Sequence, residues 1–575
     1  MKFIFRYLKP YYTAMLIGLG IKSFGTLIEL ALPYILKHIL DVVVPTDGRV
    51  SMILLWGGGM VLCALLALLC NIKANRMASK VARDSAYAIR KDLFSRSLTL
   101  SGKQIDHFTI PSLETRITTD TYNIQQFVGR IQRLGVRAPL LLLGGLIVSL
   151  VMDFYLSLVM LAIMPIIFLV VYFVSRYGAR LYTNVQKAVD GMIRVVREDS
   201  RGIRVIKALS RVEKERTRYD AVNDELVKAE KKASLTMGFV NPVMSLLMNL
   251  GITFVVLLGA HRVMGGETEP GTIVAFTQYF TMISNATLSV TRIFMMSTKS
   301  MASAERVRQV VDAPEDPVLY PEREYPSVQE GGHVVFDNVS FSYENNKNAL
   351  QNVSFSLPKG GTLGVIGATG SGKTTLTSLL MRVYDVEAGA VRIGGRDVRT
   401  IPSGELKSKF GVAMQNDFLY GDTIYENIRF GRDLSAEQIE TAARMACAHE
   451  FISAMEEGYR SVLAPKGANL SGGQKQRLLI ARALAGSPEI LILDDSFSAL
   501  DYKTDAALRA NLKTCAAEST SILVAQRVSS VMHADLILVL EEGEIIGRGT
   551  HEELLATCPI YKEIHDSQMG GAFLD

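Results

Sequence analysis

Eight consecutive residues, Gly367, Ala368, Thr369, Gly370, Ser371, Gly372, Lys373 and Thr374, carry the spacing G-x-x-x-x-G-K-T. Glycines at those positions let several backbone N–H groups converge on a phosphate. The lysine adds a point charge, and the threonine hydroxyl can join the shell of a Mg²⁺ ion. Such a loop works only between a strand and the N-terminus of a helix, whose dipole favours an anion. The apolar run 362–366 reads as that strand, and 375–383, opening with Thr375, as that helix. Some 120 residues on, an apolar run from Glu489 ends in two carboxylates, Asp494 and Asp495. A carboxylate at such a strand end can hold the Mg²⁺ that bridges the β- and γ-phosphates of a nucleoside triphosphate. The chemistry this implies is binding of ATP with Mg²⁺.

These residues need a sheet to present them, and from His333 onward short β-branched runs alternate with amphipathic helical stretches, an α/β pattern. Before that lie Pro314, Pro317, Pro321 and Pro326, a proline density that excludes continuous helix and reads as a linker. Upstream, long apolar runs alternate with basic connectors. Six of them, 12–44, 51–71, 137–151, 155–173, 237–258 and 272–296, are read as membrane spans, a crossing needing about 20 apolar residues. The expected organisation is a transmembrane domain over 1–312, a linker over 313–332 and a nucleotide-binding domain over 333–575.

The connectors orient the spans. Lys73, Arg76, Lys80, Arg83, Arg90, Lys91 and Arg96 follow the second span. Arg176, Arg180, Lys187, Arg194, Arg197, Arg201, Arg204 and Lys207 follow the fourth. The connectors 45–50, 152–154 and 261–271 are short and poor in charge. Positive residues mark the cytosolic side, so both termini, both long loops and the ATP-binding domain are expected in the cytosol of a multi-pass protein of the cell membrane. The loops keep a helical period, so the spans are expected to continue as helices beyond the bilayer.

Bulk properties agree with one greasy half and one ordinary half. The 575 residues are 49% hydrophobic and 21% charged, with mean hydropathy +0.21. A net charge of +5 is small for this length and points away from nucleic acid. The five cysteines, Cys63, Cys70, Cys447, Cys515 and Cys558, lack metal-ligand spacing and are read as structural. The first apolar run is too long for a cleaved leader.

The pentapeptide Leu470, Ser471, Gly472, Gly473, Gln474, some 20 residues before the Asp494 strand, resembles the signature of the ATP-binding cassette (ABC) exporters. Tyr343 resembles the family's adenine-stacking aromatic. Gln415 resembles the glutamine that joins the Mg²⁺-nucleotide to the membrane domain, and Ser498 to Asp501 the loop exchanged across the dimer. Leu113, Thr115, Arg116, Thr118 and Asp120 are similar to the first cytosolic loop, Glu198, Gly202, Arg204, Val205 and Lys207 to the second, and Ser303 to Arg306 to the end of the sixth span. The resemblance implies a six-helix exporter domain fused to an α/β P-loop cassette, working as one half of a dimer. Mg²⁺ would be held by Thr374, Gln415 and Asp494. Ser471, Gly473 and Gln474 would serve the partner's ATP, and closure of two cassettes would drive alternating access.

Two residues depart from the family pattern. Asp495 stands where the family usually has the glutamate that orients the attacking water, which draws the carboxylate back by about 1.5 Å. Gln526 stands where the family usually has histidine, so no imidazolium charge is available. Both changes fall on this chain's own site, while its signature is intact. The expectation is a site that binds ATP but hydrolyses it poorly, in a heterodimer whose second half-transporter carries the glutamate and histidine. The segment Pro465, Lys466, Gly467 also departs from the family's glutamate-containing stretch.

The cargo implied by the resemblance is a hydrophobic or amphiphilic small molecule, a lipid or a peptide. A lipid flippase or a homodimeric exporter are alternatives, with an ATP-gated channel or sensor less favoured. Lys22 and Glu29 lie within the first span, where each costs about 2.5–3.5 kcal/mol unless it faces the bundle interior or water. These two, with Asn241, Asn249, Gln278, Tyr279, Asn285 and Arg292, either line a cavity or bond helix to helix; composition leaves both readings open.

Overall fold

The computed structural model describes residues 1–46, 50–315, 317–328, 331–343, 349–415, 418–515 and 519–569. The chain forms two compact units, Met1–Thr99 with Phe108–Ala313, and Leu100–His107 with Pro314–Asp575.

The first unit is helical. Among the described residues five stretches are long and apolar enough to cross a bilayer: Lys2–Val43, Val50–Ser97, Ile110–Met152, Phe154–Ala208 and Val212–Met264. The sixth expected span lies in the helix Pro270–Val311, which is not among them. Hydroxyls and amides such as Thr277, Gln278, Thr281, Ser284, Asn285 and Thr287 lower its hydropathy. It is nonetheless central: Ala275, Phe276, Tyr279, Phe280 and Ile283 are all buried, packed with Leu30, Leu141, Leu156, Met160 and Val255. Gly251 permits the closest approach, since a Cβ there would lie 2.3 Å from the Phe280 ring. Small residues at such crossings let membrane helices pack by van der Waals contact. Leu54, Leu55, Leu62 and Leu69, by contrast, point outward, which suits hydrocarbon and not water.

The helices outrun the membrane, as their polar period implies. Val50–Ser97 has 48 residues, about 72 Å at 1.5 Å per residue, against about 30 Å of hydrocarbon. The helix Phe154–Ala208 has 55 residues. Two segments similar to family loops meet in this unit. Arg116–Asp120 forms a π-helical turn. The buried Asp120 accepts from Arg306 Nε at 2.8 Å and Nη2 at 2.5 Å, and from Ser303 Oγ at 2.8 Å. Arg116 Nη1 donates to the Arg306 carbonyl at 2.6 Å. The first cytosolic loop and the end of Pro270–Val311 are thereby tied by charge-assisted hydrogen bonds.

Among its described residues the second unit contains ten strands: β1 Val334–Phe341, β2 Leu350–Leu357, β3 Thr362–Gly367, β4 Ala388–Ile393, β5 Arg396–Asp397, β6 Phe410–Ala413, β7 Ile490–Asp494, β8 Thr520–Ala525, β9 Leu536–Glu541 and β10 Glu544–Gly549. One sheet has the order β2-β1-β4-β5, the other β10-β9-β3-β8-β7-β6. In the second sheet β3, β6, β7, β8 and β9 run parallel. Every residue of β7 is buried, which is why it reads as a continuous apolar run instead of an alternating one. One core joins both sheets through Phe336, Phe355, Val365, Leu376 and Ile492. A second lies beneath helices, with Ile424, Ile439, Leu478, Ile480 and Leu493. No helix or strand occurs among the described residues between Val311 and Val334, as the prolines dictate.

Leu100–His107 groups with the second unit although it falls within the first 312 residues. The Gly102 N–H donates to the Val383 carbonyl at 3.3 Å, and Tyr384 Oη donates to Asp106 at 2.7 Å. A Cβ on Gly102 would lie 2.8 Å from Val383, so this docking needs glycine.

Asp120→Asn keeps the shape but removes the charge. It is expected to lower stability by about 1–2 kcal/mol, less than for a fully buried pair because Arg306 is half in water. Thermal unfolding of the detergent-solubilised protein, followed by tryptophan or dye fluorescence, measures this.

Candidate nucleotide site

Parallel register brings the chemistry to one sheet edge. Ile366 of β3 lies opposite Ala525 of β8, and Val524 lies opposite Asp494 of β7. The residues that follow these positions, the glycine loop, Gln526 and Asp495, therefore emerge together at the C-terminal ends of the strands. That edge is where open parallel sheets take ligands. A cavity of about 600 Å³ opens there. It is lined by Tyr343, Thr369, Gly370, Gly372, Lys373, Thr374, Thr375, Gln415, Asp494, Asp495 and Gln526, among others.

The loop is built as its glycines require. Gly372 has φ +101° and caps the helix Lys373–Leu380, a conformation that disfavours any side chain. Gly367 passes so close to β9 that a Cβ would lie 2.1 Å from the Leu540 carbonyl oxygen. Lys373 Nζ donates to the carbonyls of Gly367 at 2.9 Å and Ala368 at 2.7 Å. The buried Ser371 hydroxyl has no partner among the described residues, a polar atom left for a ligand to satisfy.

Across the loop, Thr374 Oγ1 donates to Asp494 Oδ2 at 2.9 Å. Two hard oxygen donors at this separation suit Mg²⁺. Burial pushes the Asp494 carboxyl above its ordinary range and the Asp495 charge adds to this, while the Thr374 hydroxyl and Lys373 oppose it. Burial likewise lowers the Lys373 ammonium, against the pull of Asp494 and Asp495. Bound Mg²⁺ would supply the positive charge that stabilises Asp494 as a carboxylate. The donor set therefore fits Mg²⁺-ATP. Tyr343 donates from Oη to Thr375 at 3.2 Å, and its ring meets those of Phe341 and Tyr384 edge-on, at 4.9 and 5.3 Å between centroids.

Asp495 sits at φ +48°, a left-handed conformation that aspartate tolerates better than most residues. Its Oδ2 accepts from Gln415 Nε2 at 3.2 Å and faces Gln526 Nε2 at 3.5 Å. Gln415 thus reaches Asp495 directly, with the Thr374–Asp494 pair in the same cavity. Ser471, Gly473 and Gln474 do not line this cavity. They open the helix Gly472–Leu484, where Ser471 and Gln474 form a reciprocal capping box. The Pro465–Gly467 departure is a tight turn with Lys466 at φ +60°.

The chain carries both halves of one architecture. Residues 15–287 match the ABC transporter transmembrane region and residues 350–498 the ABC transporter domain. An uncharacterised ABC transporter ATP-binding protein of Bacillus subtilis, YfiB, is 36% identical over 572 residues, covering 98% of each chain.

The chain belongs to the ABC transporter family.

A multidrug efflux ATP-binding/permease protein of Mycobacterium bovis is 31% identical over 551 residues, 96% of this chain and 46% of that longer one. The fold matches a bacterial Atm1-family ABC exporter with ATP bound, at TM-score 0.81 over 98% of both chains and 23% identity. This ABC transporter chain is therefore a multi-pass membrane protein whose cytosolic cassette is an ABC-type ATPase.

Two further residues at this edge carry no local sequence signal. Gln568, on the C-terminal helix Pro559–Met569, donates to the Gln526 carbonyl at 2.9 Å and accepts from the Val528 N–H at 2.8 Å. Its amide clamps the segment that holds Gln526. Gln476 accepts from the Ala499 N–H at 3.1 Å. Both contacts join positions more than 20 residues apart.

Metal binding at this site would require ionised Asp494, and its raised carboxyl pKa means that protons would compete from a higher pH than for an ordinary aspartate of about 3.9. Mg²⁺-dependent binding of a fluorescent ATP analogue is expected to weaken as pH falls through that raised value. Asp494→Asn should remove both the Mg²⁺ dependence and its pH profile. Gln568→Ala should weaken the clamp and cost about 1 kcal/mol of cassette stability, read by thermal unfolding.

Proposed function

We propose that this exporter half moves a hydrophobic or amphiphilic substrate out of the cell as one partner of a heterodimer. Its own site binds ATP and hydrolyses it slowly, and its signature completes the partner's site. The observation that carries this reading is the company of Asp495. Its carboxylate, one methylene shorter than glutamate, lies against the amides of Gln415 and Gln526. An amide donates a hydrogen bond but takes no proton at neutral pH, so the site lacks the usual pairing of a long carboxylate with an imidazole.

The binding groups are otherwise complete. Lys373, Thr374 and Asp494 with the glycine loop would hold the phosphates and Mg²⁺, Gln415 would complete the metal shell, and Tyr343 would support the base. Ser471, Gly473 and Gln474 stand outside this cavity at a helix N-terminus suited to an anion, which supports a role toward a partner's ATP. The multidrug name of one relative supports amphiphilic cargo. The domain division 1–312, 313–332 and 333–575 is retained in this reading, with Leu100–His107 as the first domain's element on the cassette.

The purified chain alone is expected to bind ATP and turn it over slowly. Asp495→Glu combined with Gln526→His should raise its ATPase rate by about 10- to 100-fold, the scale of a misplaced catalytic group. Fast turnover by the unmodified chain alone would remove the impaired site and favour a homodimer. Co-purification of a second exporter half carrying glutamate and histidine at these positions would support the heterodimer.

A further inference from the structure

The transmembrane unit holds a cavity of about 530 Å³ whose lining includes Lys22, Arg130, Arg133 and Arg137, with Asn75 and Gln126. It adjoins a smaller pocket of about 290 Å³ that shares Leu134 and Arg137 and adds Leu141, Met282, Asn285 and Ser289. Among the described residues no carboxylate lines either. The three arginines are spaced i, i+3, i+7 on the helix Thr121–Met152, which puts them on one face. Arg137 stands 15 residues from the outer end of that helix, about 22 Å, and so within a hydrocarbon layer about 30 Å thick. Arg130 lies two turns nearer the cytosol, so the row rises from the inner face into the membrane.

Part of this charge is answered by the protein. Arg137 donates to Glu29 Oε2 from Nε at 3.1 Å and Nη2 at 3.0 Å. Glu29 Oε1 accepts from Asn71, whose amide oxygen accepts from Lys22 at 2.5 Å. Arg133 donates to the Gly129 carbonyl and Arg130 to the Met296 sulfur. Neither has a carboxylate partner among the described residues. Four cations against one carboxylate, at this depth, leave positive charge in a medium that penalises it unless an anion or water meets it.

We infer that this cavity receives the anionic head of an amphiphile, with its apolar body in the adjoining pocket against Leu134, Leu141 and Met282. This rests on the export reading and narrows the cargo to anions, since the same field repels a cationic amphiphile.

Sulforhodamine B and rhodamine 6G share a xanthene body and differ in the sign of their charge. With the purified complex in phosphatidylcholine nanodiscs, without ATP, fluorescence anisotropy should show sulforhodamine B binding and rhodamine 6G binding at least tenfold more weakly. Arg130→Gln with Arg133→Gln should weaken sulforhodamine B about tenfold or more, the scale of losing a charge pair shielded from water. Arg133→Lys, which keeps the charge, should retain most of the binding. Competition by added phosphatidylglycerol would mark a lipid as the anion's source, and its absence a soluble amphiphile. Equal binding of both dyes, preference for rhodamine 6G, or binding unaffected by the double substitution would overturn the anion site. ATP-driven uptake into inverted vesicles separates the two readings: charge-selective binding without uptake keeps the site and removes export.

Discussion

The hydrogen bond from Thr374 to the buried Asp494 is the contact on which the cassette depends. It joins the first turn of a helix to the end of a strand two places away across a parallel sheet. Both groups are hard oxygen donors, and one is a carboxylate held where burial disfavours its charge. A protein gains nothing in stability by placing an unneutralised carboxylate there. The arrangement fits a metal site, and Mg²⁺-nucleotide held there would link its binding to the relative position of β3 and β7.

Around that contact, the sheet acts as an aligning frame. Because β3, β8 and β7 are parallel and in register, a step of one or two residues past each strand end reaches the same level. Gln526 and Asp495 meet there although they are 31 positions apart. Two substitutions that look independent along the chain thus fall on the same oxygen. Gln568 adds a clamp from the C-terminal helix, fixing the backbone beside Gln526 through both its donor and its acceptor.

Electrostatics in the membrane unit follows the same physics with a different outcome. Asp120 is buried and answered by Arg306 and Ser303, so its charge is structural. Among the described residues the row Arg130, Arg133, Arg137 meets one carboxylate, Glu29. The polar residues of the spans divide in the same way: Lys22 and Glu29 bond between helices and Lys22 also lines a cavity, while Tyr279 donates to the Leu30 carbonyl at 2.7 Å. Asn249 and Gln278 are exposed. The side chains of Asn241 and Arg292 lie outside those described.

Composition and spacing alone determined the division into a greasy half and an α/β half, the glycine loop and the acid-tipped strand, while resemblance to the ABC family marked the signature pentapeptide and the departures at Asp495 and Gln526. Each is written in contiguous residues, because phosphate binding, helix capping and membrane insertion act over a few turns or one strand. Hydropathy was a weaker guide to Pro270–Val311, whose hydroxyls find helix carbonyls and whose apolar face is covered by other helices. Tertiary structure alone decided that Gln415 reaches Asp495, that Gln568 clamps the Gln526 segment, that Leu100–His107 docks on Val383 and Tyr384, and that Lys22 stands opposite three arginines from another helix. Those contacts join residues from about 40 to 280 positions apart, and no local rule specifies which faces of two distant elements will meet; only close packing of the whole unit does.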